Sequence, residues 1–249
     1  MRLLTWNIHK GLGSKDRRYD PERMTTVLRH YQADLVLLQE VDDGVPRSGR
    51  DHQAAMLAEA LGYPYWAFEP NVTLKRGKYG NATLSRHPIV FSSNVDLTFS
   101  VKKRRGALYS RVHAREGGRR STLHIFNMHL GLSGVERRWQ LRRLVEKQPM
   151  SHLRQGSRVI LAGDTNDWMG MIHHGPLKDA GFTCVTGRGQ RAIRTFPSRK
   201  PVGALDRVFV RGQLEAHRSF RSRMALAREA SDHIPLVVDL SMDTGGSKR

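Results

Sequence analysis

The chain has 249 residues, 42 of them Lys or Arg against 23 Asp or Glu, for a formal charge of +19. Hydrophobic residues make up 39%, with 8 Phe, 6 Tyr and 4 Trp, which excludes a disordered chain and fits one large domain or two small ones. A charge of this size points to polyanionic partners: nucleic acid, an anionic membrane surface or a polyanionic substrate.

Cys184 is the only cysteine, so no intramolecular disulfide is expected. No window approaches the roughly 18 apolar residues of a membrane span. The opening Met1-Arg2-Leu3-Leu4-Thr5-Trp6-Asn7 lacks the pattern of a signal peptide. These features predict a soluble, cytoplasmic protein, taken as a monomer.

Arg2 to Ile8 predicts a buried strand that ends on Asn7 and His9, and Lys10 to Asp20 a charged, Gly-bearing loop. Pro21 opens a helix with Asp20 as N-cap and Val27, Leu28 and Tyr31 on its inner face. Asp34 to Leu38 is an apolar strand ending on Gln39-Glu40, followed by a loop from Asp43 to Asp51. Gln53 to Leu61 has Ala55, Met56, Leu57 and Leu61 at helical spacing and Gly62 as a stop. Tyr65 to Phe68 is a short strand, Asn71 to Gly80 a basic loop and Asn81 to Arg86 the next strand. Pro88 to Leu97 and Ala107 to His113 are two more, joined by a loop holding Lys102-Lys103-Arg104-Arg105. Ser121 to Met128 is a strand ending on Asn127 and His129. Ser133-Gly134-Val135-Glu136 fits a capping box. It opens a helix reaching Lys147, with Trp139, Leu144 and Val145 inward and Arg137, Arg138, Arg142 and Arg143 outward. Arg158 to Ala162 is a strand running into Gly163-Asp164-Thr165-Asn166. Met169 to Arg199 is irregular, with a short helix near Leu177 to Ala180. Strands at Leu205 to Val210, Leu214 to Phe220 and Ile234 to Leu240 complete a single domain over residues 1–241. Residues 242–249 are a Gly/Ser/Lys tail, expected to be disordered. Strands outnumber helices, helices still intervene, and no repeat or linker divides the chain. The pattern is one α/β domain built on two sheets.

Polar residues of catalytic type stand where the apolar strands stop. Asn7, Glu40, His129, Asp164 and Asn166 close strands, and Asp232 and His233 precede the last one. Taken singly, each has a plain structural reading: Asn7 as a turn former, Glu40 as a surface acid, His129 as a hydrogen-bonded surface histidine, Gly-Asp-Thr-Asn as a turn. Their joint appearance points to a site, because open α/β sheets gather ligands at strand ends. Carboxylate and amide oxygens are donors for Mg²⁺ or Mn²⁺ rather than zinc, and no Cys pair or His-x-x-x-His suggests zinc. A hard dication beside a general base suits phosphoester hydrolysis.

Thr5-Trp6-Asn7-Ile8, Leu38-Gln39-Glu40-Val41, Asn127-Met128-His129-Leu130, Gly163-Asp164-Thr165-Asn166 and Ser231-Asp232-His233 resemble the ordered motifs of the endonuclease/exonuclease/phosphatase superfamily. That superfamily includes DNase I, exonuclease III, sphingomyelinases, inositol polyphosphate 5-phosphatases and tyrosyl-DNA phosphodiesterase 2. The likeness runs over nearly the whole domain. Asn7-Ile8-His9-Lys10-Gly11, Tyr79-Gly80-Asn81-Ala82 and Leu205-Asp206-Arg207-Val208 look most like small bacterial members of the YbhP type. The resemblance implies a DNase I-like four-layer α/β sandwich, two mixed β-sheets packed face to face with helices outside. It implies that Asn7 and Glu40 hold Mg²⁺ or Mn²⁺, with Asp232 close to the metal. Asp164 would orient or activate the attacking water, Asn166 would hold a phosphate oxygen, and His233, oriented by Asp206, would be the catalytic histidine. His129 would bind phosphate in the transition state, and Asn81, Tyr79 and Arg105 would contact substrate. Two departures stand out. Thr165 replaces the large apolar residue of many members, as it does in tyrosyl-DNA phosphodiesterases. Val41 follows Glu40 where abasic-site enzymes carry Thr-Lys.

Three functions compete. The first is a Mg²⁺- or Mn²⁺-dependent phosphodiester hydrolase acting on nucleic acid, a nuclease or DNA-end-processing enzyme. Arg47, Arg50, Lys75, Arg76, Lys78 and the run from Lys102 to Arg105 are its candidate phosphate contacts. The second is the same chemistry on a phospholipid headgroup or inositol phosphate at an anionic membrane surface. The chain shows no obvious apolar hairpin for bilayer insertion. The third is a binding module that keeps only the fold, against which the full set of site residues argues.

Overall fold

Strands as apolar as Leu3-Leu4 and Leu35-Val36-Leu37-Leu38 need cover on both faces. A computed structural model, which describes residues 1–242, shows how that cover is arranged. In chain order the elements are β1 (Arg2–Asn7), α1 (Pro21–Tyr31), β2 (Leu35–Asp43), α2 (Gln53–Leu61), β3 (Tyr65–Thr73), β4 (Lys78–Ser85), β5 (Ile89–Asp96), β6 (Gly106–Glu116) and β7 (Arg119–His129). They continue with α3 (Gly134–Glu146), β8 (Arg158–Asp164), α4 (Pro176–Asp179), β9 (Thr183–Cys184), β10 (Asp206–Arg211), β11 (Glu215–Arg221), α5 (Ala225–Ala230) and β12 (Leu236–Ser241).

Two six-stranded sheets form, ordered β11-β12-β1-β2-β4-β3 and β5-β6-β7-β8-β10-β9. Each contains one parallel pair, β1–β2 bridged by α1 and β7–β8 bridged by α3, among antiparallel neighbours. One apolar cluster lies between the sheets and includes Leu3, Leu37, Ile125, Ile160, Val208 and Val238. A second joins the outer face of the first sheet to α1, α2 and α5. A third joins the second sheet to α3 and α4. The result is the expected four-layer α/β sandwich.

Side-chain alternation in the strands places the site. Leu4, Trp6, Val36 and Leu38 face the helices, while Leu3, Leu35 and Leu37 face the opposite sheet. Toward one end the inward positions turn polar: Thr5 and Asn7 on β1, Gln39 on β2, Asn127 and His129 on β7, Asp164 on β8, Asp206 on β10. A buried amide layer ties the sheets together there. Gln39 Nε2 donates to Asn127 Oδ1 at 2.7 Å and Thr5 Oγ1 at 3.1 Å. Asn127 Nδ2 donates to the carbonyls of Leu38 and Ala82 at 2.9 and 2.8 Å.

Local signals hold where they rest on a cap. Asp20 accepts from the Glu22 N–H at 3.1 Å, and Gly62 ends α2 at φ 67°. Other expectations need correction. β2 does not stop at Glu40; it runs on to Asp43 through a register shift between Leu38 and Val41. The strand at Tyr65 reaches Thr73 and its partner starts at Lys78, so the basic loop shrinks to residues 74–77 and Tyr79 and Gly80 lie in β4. The buried face of α2 is Gln53, Ala54, Leu57 and Ala58, not Ala55. Arg137 is buried rather than outward, donating to the Leu132 carbonyl at 2.7 Å and to Asp167 Oδ1 at 3.3 Å. Met242 belongs to the domain: it is buried, and its N–H donates to Glu116 Oε2 at 2.7 Å. The remaining tail, 243–249, lies outside the described residues.

Candidate active site

The site begins with a close approach of two strands. Gly163 has φ +138°, and a Cβ there would lie 1.9 Å from the Met128 carbonyl oxygen. Only glycine lets β7 and β8 come this near. The parallel register then sets His129 beside Asp164, and the antiparallel register with β10 sets Asp206 on the other side. Three inward-facing groups thus stand in a row on the second sheet.

His233 enters from the segment before β12. Its Nδ1 lies 2.8 Å from Asp206 Oδ2, and its backbone N–H donates to Ser231 Oγ at 3.2 Å. Ser231 Oγ in turn donates to the Asn7 carbonyl at 2.7 Å, which ties this segment to β1. Asp164 Oδ2 is the hub. It accepts from Asn7 Nδ2 at 3.0 Å and lies 3.4 Å from His129 Nε2 and 3.6 Å from His233 Nε2. Asp164 Oδ1 accepts from the Asn166 backbone N–H at 3.0 Å. The Asn166 side chain donates one N–H to the Leu130 carbonyl at 2.9 Å.

Glu40 comes from the bulge in β2, at φ 58°, and pairs with the Lys10 ammonium. Glu40, His9, Lys10 and Asn166 are four of eight non-glycine residues with positive φ among the described residues. Half of the backbone strain of that kind therefore gathers around one site, as it does where geometry serves function.

The two histidines differ in charge. Burial pushes His129 down to about 4, helped by the Arg105 guanidinium, so the ring is neutral at pH 7. Burial also opposes the charge on His233, but Asp206 and Asp164 outweigh it and lift the ring to about 10. Burial would raise the Glu40 carboxyl; neighbouring His129 and Lys10 instead hold it well below the usual range. Because His129 is neutral near pH 7, Lys10 is the cation that keeps Glu40 ionised.

The predicted residues Asn7, Glu40, His129, Asp164, Asn166, Asp206 and His233 meet at this end of the sandwich. Asp232 sits at the rim, its carboxylate 3.9 Å from His9 Nε2 and about a third exposed. Tyr79 is buried with the Lys10, Arg47 and Lys103 cations over its ring, and Asn81 donates to the carbonyls of Gly106 and Asn127. Thr165 does not reach the site: its hydroxyl is buried against the Leu205 carbonyl at 2.7 Å. Its hydroxyl is therefore already engaged and does not face the site. Among the described residues, no three His, Cys, Asp or Glu side chains converge as a metal cluster.

Sequence reading missed several supports. Thr195 Oγ1 donates to Asp206 Oδ2 at 2.5 Å, and the Phe196 ring packs 4.8 Å from His233. Both lie in a segment with no periodicity to mark them. Lys10 had a signal, its place in Asn7-Ile8-His9-Lys10-Gly11, but no chemistry visible until Glu40 was placed beside it.

Comparison with known proteins adds a lineage. The profile of the Endonuclease/Exonuclease/phosphatase family matches residues 4–233. "Uncharacterized protein YbhP" of Escherichia coli (strain K12) is 34% identical over 251 residues, covering 97% of this chain and 96% of that one. The endonuclease/exonuclease/phosphatase from Beutenbergia cavernae DSM 12333 superposes with a TM-score of 0.78 at 24% identity, over 97% of this chain and 71% of that one. D. rerio TDP2 complexed with single strand DNA product gives 0.68 at 20% identity, over 97% and 98%. The mannosyl-6-phosphatase Bt3783 of Bacteroides thetaiotaomicron VPI-5482 gives 0.69 at 16%, over 97% and 99%. These structural likenesses speak to fold. With the profile match and the YbhP relative beside them, the chain belongs to the endonuclease/exonuclease/phosphatase family.

Proposed function

We propose that this protein is a phosphoric ester hydrolase that cleaves phosphodiesters of nucleic acid with Mg²⁺ or Mn²⁺, acting as a monomer in the cytoplasm. One observation carries the chemistry: a buried carboxylate, Asp164, stands between a neutral and a charged imidazole. Asp164 accepts the proton of the attacking water. His233, held in one tautomer by Asp206, offers a cation to the charge that grows on the phosphoryl group. Neutral His129 donates a hydrogen bond to the same group, and the second Asn166 N–H is left for a phosphate oxygen.

The donors suit a hard dication. Glu40 is half-buried, ionised and already faces a cation, Lys10, and Asn81 Oδ1 is buried without a partner. Glu40 and Asn7 would hold the ion, with Asp232 near it. When bound it neutralises charge on the phosphoryl and leaving oxygens.

The charge of +19 supports nucleic acid as the substrate, and D. rerio TDP2, of the same fold, has been solved with a single strand DNA product. An apolar rim favours a second reading. Trp168, Met169 and Met171 are more than half exposed beside the site, and Val135 and Met171 line one cavity with Asp167. That rim supports a phospholipid headgroup as the alternative substrate. No helix among the described residues is long and apolar enough to cross a membrane.

A panel of plasmid DNA, single-stranded DNA, RNA, 5′-tyrosyl DNA, phospholipid vesicles, inositol phosphates and a bis-aryl phosphodiester separates the two, each with Mg²⁺, Mn²⁺ or EDTA. Metal-dependent turnover of a nucleic acid is the expected result. Turnover of vesicles with none of any nucleic acid would sink the first reading and leave the second.

A further inference from the structure

Beside Glu40 the structure gathers more positive charge than it balances. Lys10, Arg47 and Lys103 lie 5.7, 5.6 and 5.2 Å from the centroid of the Tyr79 ring. Lys10 is paired with Glu40, and Arg47 with the buried Asp42 at 2.6 Å. Lys103 and Arg105 have no ion pair or side-chain hydrogen bond among the described residues. Arg105 is only 7% exposed, yet none of its nitrogens is sealed from solvent. An arginine this buried is ordinarily paired, because an uncompensated charge is expensive to bury. Its charge is felt by His129, Tyr79 and Lys103. The Tyr79 hydroxyl is buried near the Glu40 carboxylate but makes no hydrogen bond of good geometry. Burial and the cationic neighbours, Arg105 first among them, push the Lys103 ammonium below its usual range. Two cations without an ion pair, two residues apart in the chain and one of them over the ring that carries the Tyr79 hydroxyl, form an incomplete anion site.

We infer that Arg105, Lys103 and the Tyr79 hydroxyl bind a second phosphate, next to the one hydrolysed, so that the enzyme selects substrates with two phosphates in succession. In this cradle Arg105 is two residues from Lys103 in the chain and its charge also reaches His129, which makes it the link between adjacent phosphates. Arg recognises phosphate by its planar fork, and a second anion relieves the crowding of like charges. The inference rests on phosphodiester hydrolysis at Asp164 and His233, and adds which ester is chosen.

The experiment compares the thymidine dinucleotide TpT with pTpT and TpTp, which carry one extra phosphate on either side. The parent should prefer one phosphorylated form at least tenfold in kcat/KM. Lys103→Ala, on an exposed loop, should shrink that ratio to near one. Equal rates on all three dinucleotides would overturn the inference and leave the nuclease reading intact. A second arm measures binding of inorganic pyrophosphate in EDTA by calorimetry, with no turnover involved. Lys103→Ala and Arg105→Lys should each weaken it at least tenfold, and unchanged affinity in both would overturn the cradle. A third arm replaces the dinucleotides with glycerophosphoinositol and its 4-phosphate. A phosphate preference there and no hydrolysis of dinucleotides would keep the cradle while rejecting nucleic acid as its source.

Discussion

His129 and His233 share one carboxylate and carry different charge, because burial lowers both rings and is outweighed at only one. Asp206, 2.8 Å from His233 Nδ1, helps to overcome it there, whereas at His129 the Arg105 charge adds to it. His233→Ala should lower turnover about 10²–10⁴-fold, the range of a positioned acid–base group. Asp206→Asn should cost less, because the ring remains but loses its charge partner; a larger loss than that of His233→Ala would count against the pairing. Glu40→Gln keeps size and removes charge. It should abolish turnover in limiting Mg²⁺ and lower the urea midpoint without unfolding the protein, since Lys10 loses its partner among other cations; parental turnover would reject Glu40 as a metal ligand. His173 carries a prediction about pH. Burial, then the charges of Arg207 and Arg188, push this ring down to about 4 from an ordinary 6.5. Between those two values the unfolded chain binds the proton and the folded chain does not, so stability falls as pH drops from 6.5 toward 4. His129 acts in the same direction. His233 acts the other way: its stabilisation is complete below pH 6.5 and is lost as pH rises toward 10. His173→Phe, whose ring can pack on Phe209 5.7 Å away, should therefore unfold with a smaller difference between pH 7 and pH 5 than the parent. An equal difference in both proteins would show that His173 titrates normally.

Elements succeed or fail in sequence reading according to whether the signal is local. Asp20 with Pro21, Gly62 and Ser133 with Glu136 each lie within one turn of the backbone they cap, and their helices start or stop where those residues say. The capping box is only half made: Ser133 Oγ accepts from the Glu136 N–H at 3.3 Å, while the Glu136 carboxylate turns to Lys102 and Gln140. Tertiary partners thus reassign a side chain that local pattern had placed. The bulge at Glu40 is the larger failure. Leu35 to Asp43 is apolar and polar in the wrong order for one pleat, and the run reads as a strand that ends. In the fold, the register shift turns Glu40 toward the site and lets Val41 return to the helix-facing core. The six residues of α5 lack a side-chain cap and were invisible for that reason. Gly163 tests how much the strand contact at β7–β8 matters. Gly163→Ala must move the Met128 carbonyl, which should destabilise by about 1–3 kcal/mol or more and shift Asp164 away from His129. Gly156→Ala meets nothing within 4 Å and should stay within about 0.5 kcal/mol. Equal urea midpoints for the two variants would show that β8 yields without effect.

At the scale of the molecule, each sheet repeats one arrangement, a parallel pair bridged by a helix with antiparallel strands on both sides, although the sequence shows no repeat. Polar ends of the two parallel pairs face each other across the sandwich, Asn7 and Glu40 against His129 and Asp164. This is why motifs far apart in the chain were legible as one site: strand ends are points where sequence and space coincide. What was not legible is which cations remain available to a polyanion, because pairing is decided in three dimensions. Of the run from Lys102 to Arg105, Lys102 is held by Glu136 at 3.2 Å and Arg105 is buried. Arg104 is exposed and has no ion pair among the described residues, so it is the member of the run best placed to meet a backbone phosphate outside the site. Each phosphate contact adds about −0.9 to the slope of log K against log salt on duplex DNA and about −0.7 on single strands. Arg104→Ser should therefore flatten the slope by about one such unit, weaken DNA binding at low salt, and leave turnover of a bis-aryl phosphodiester at the parental rate. Lys102→Ser should change the slope far less and should instead loosen the contact between its loop and α3. If Lys102→Ser flattens the slope as much as Arg104→Ser, the ion pair with Glu136 does not persist when DNA is bound. If neither changes it, the duplex lies across another face, and Arg50, Lys75, Arg76 and Lys78 are the next positions to vary.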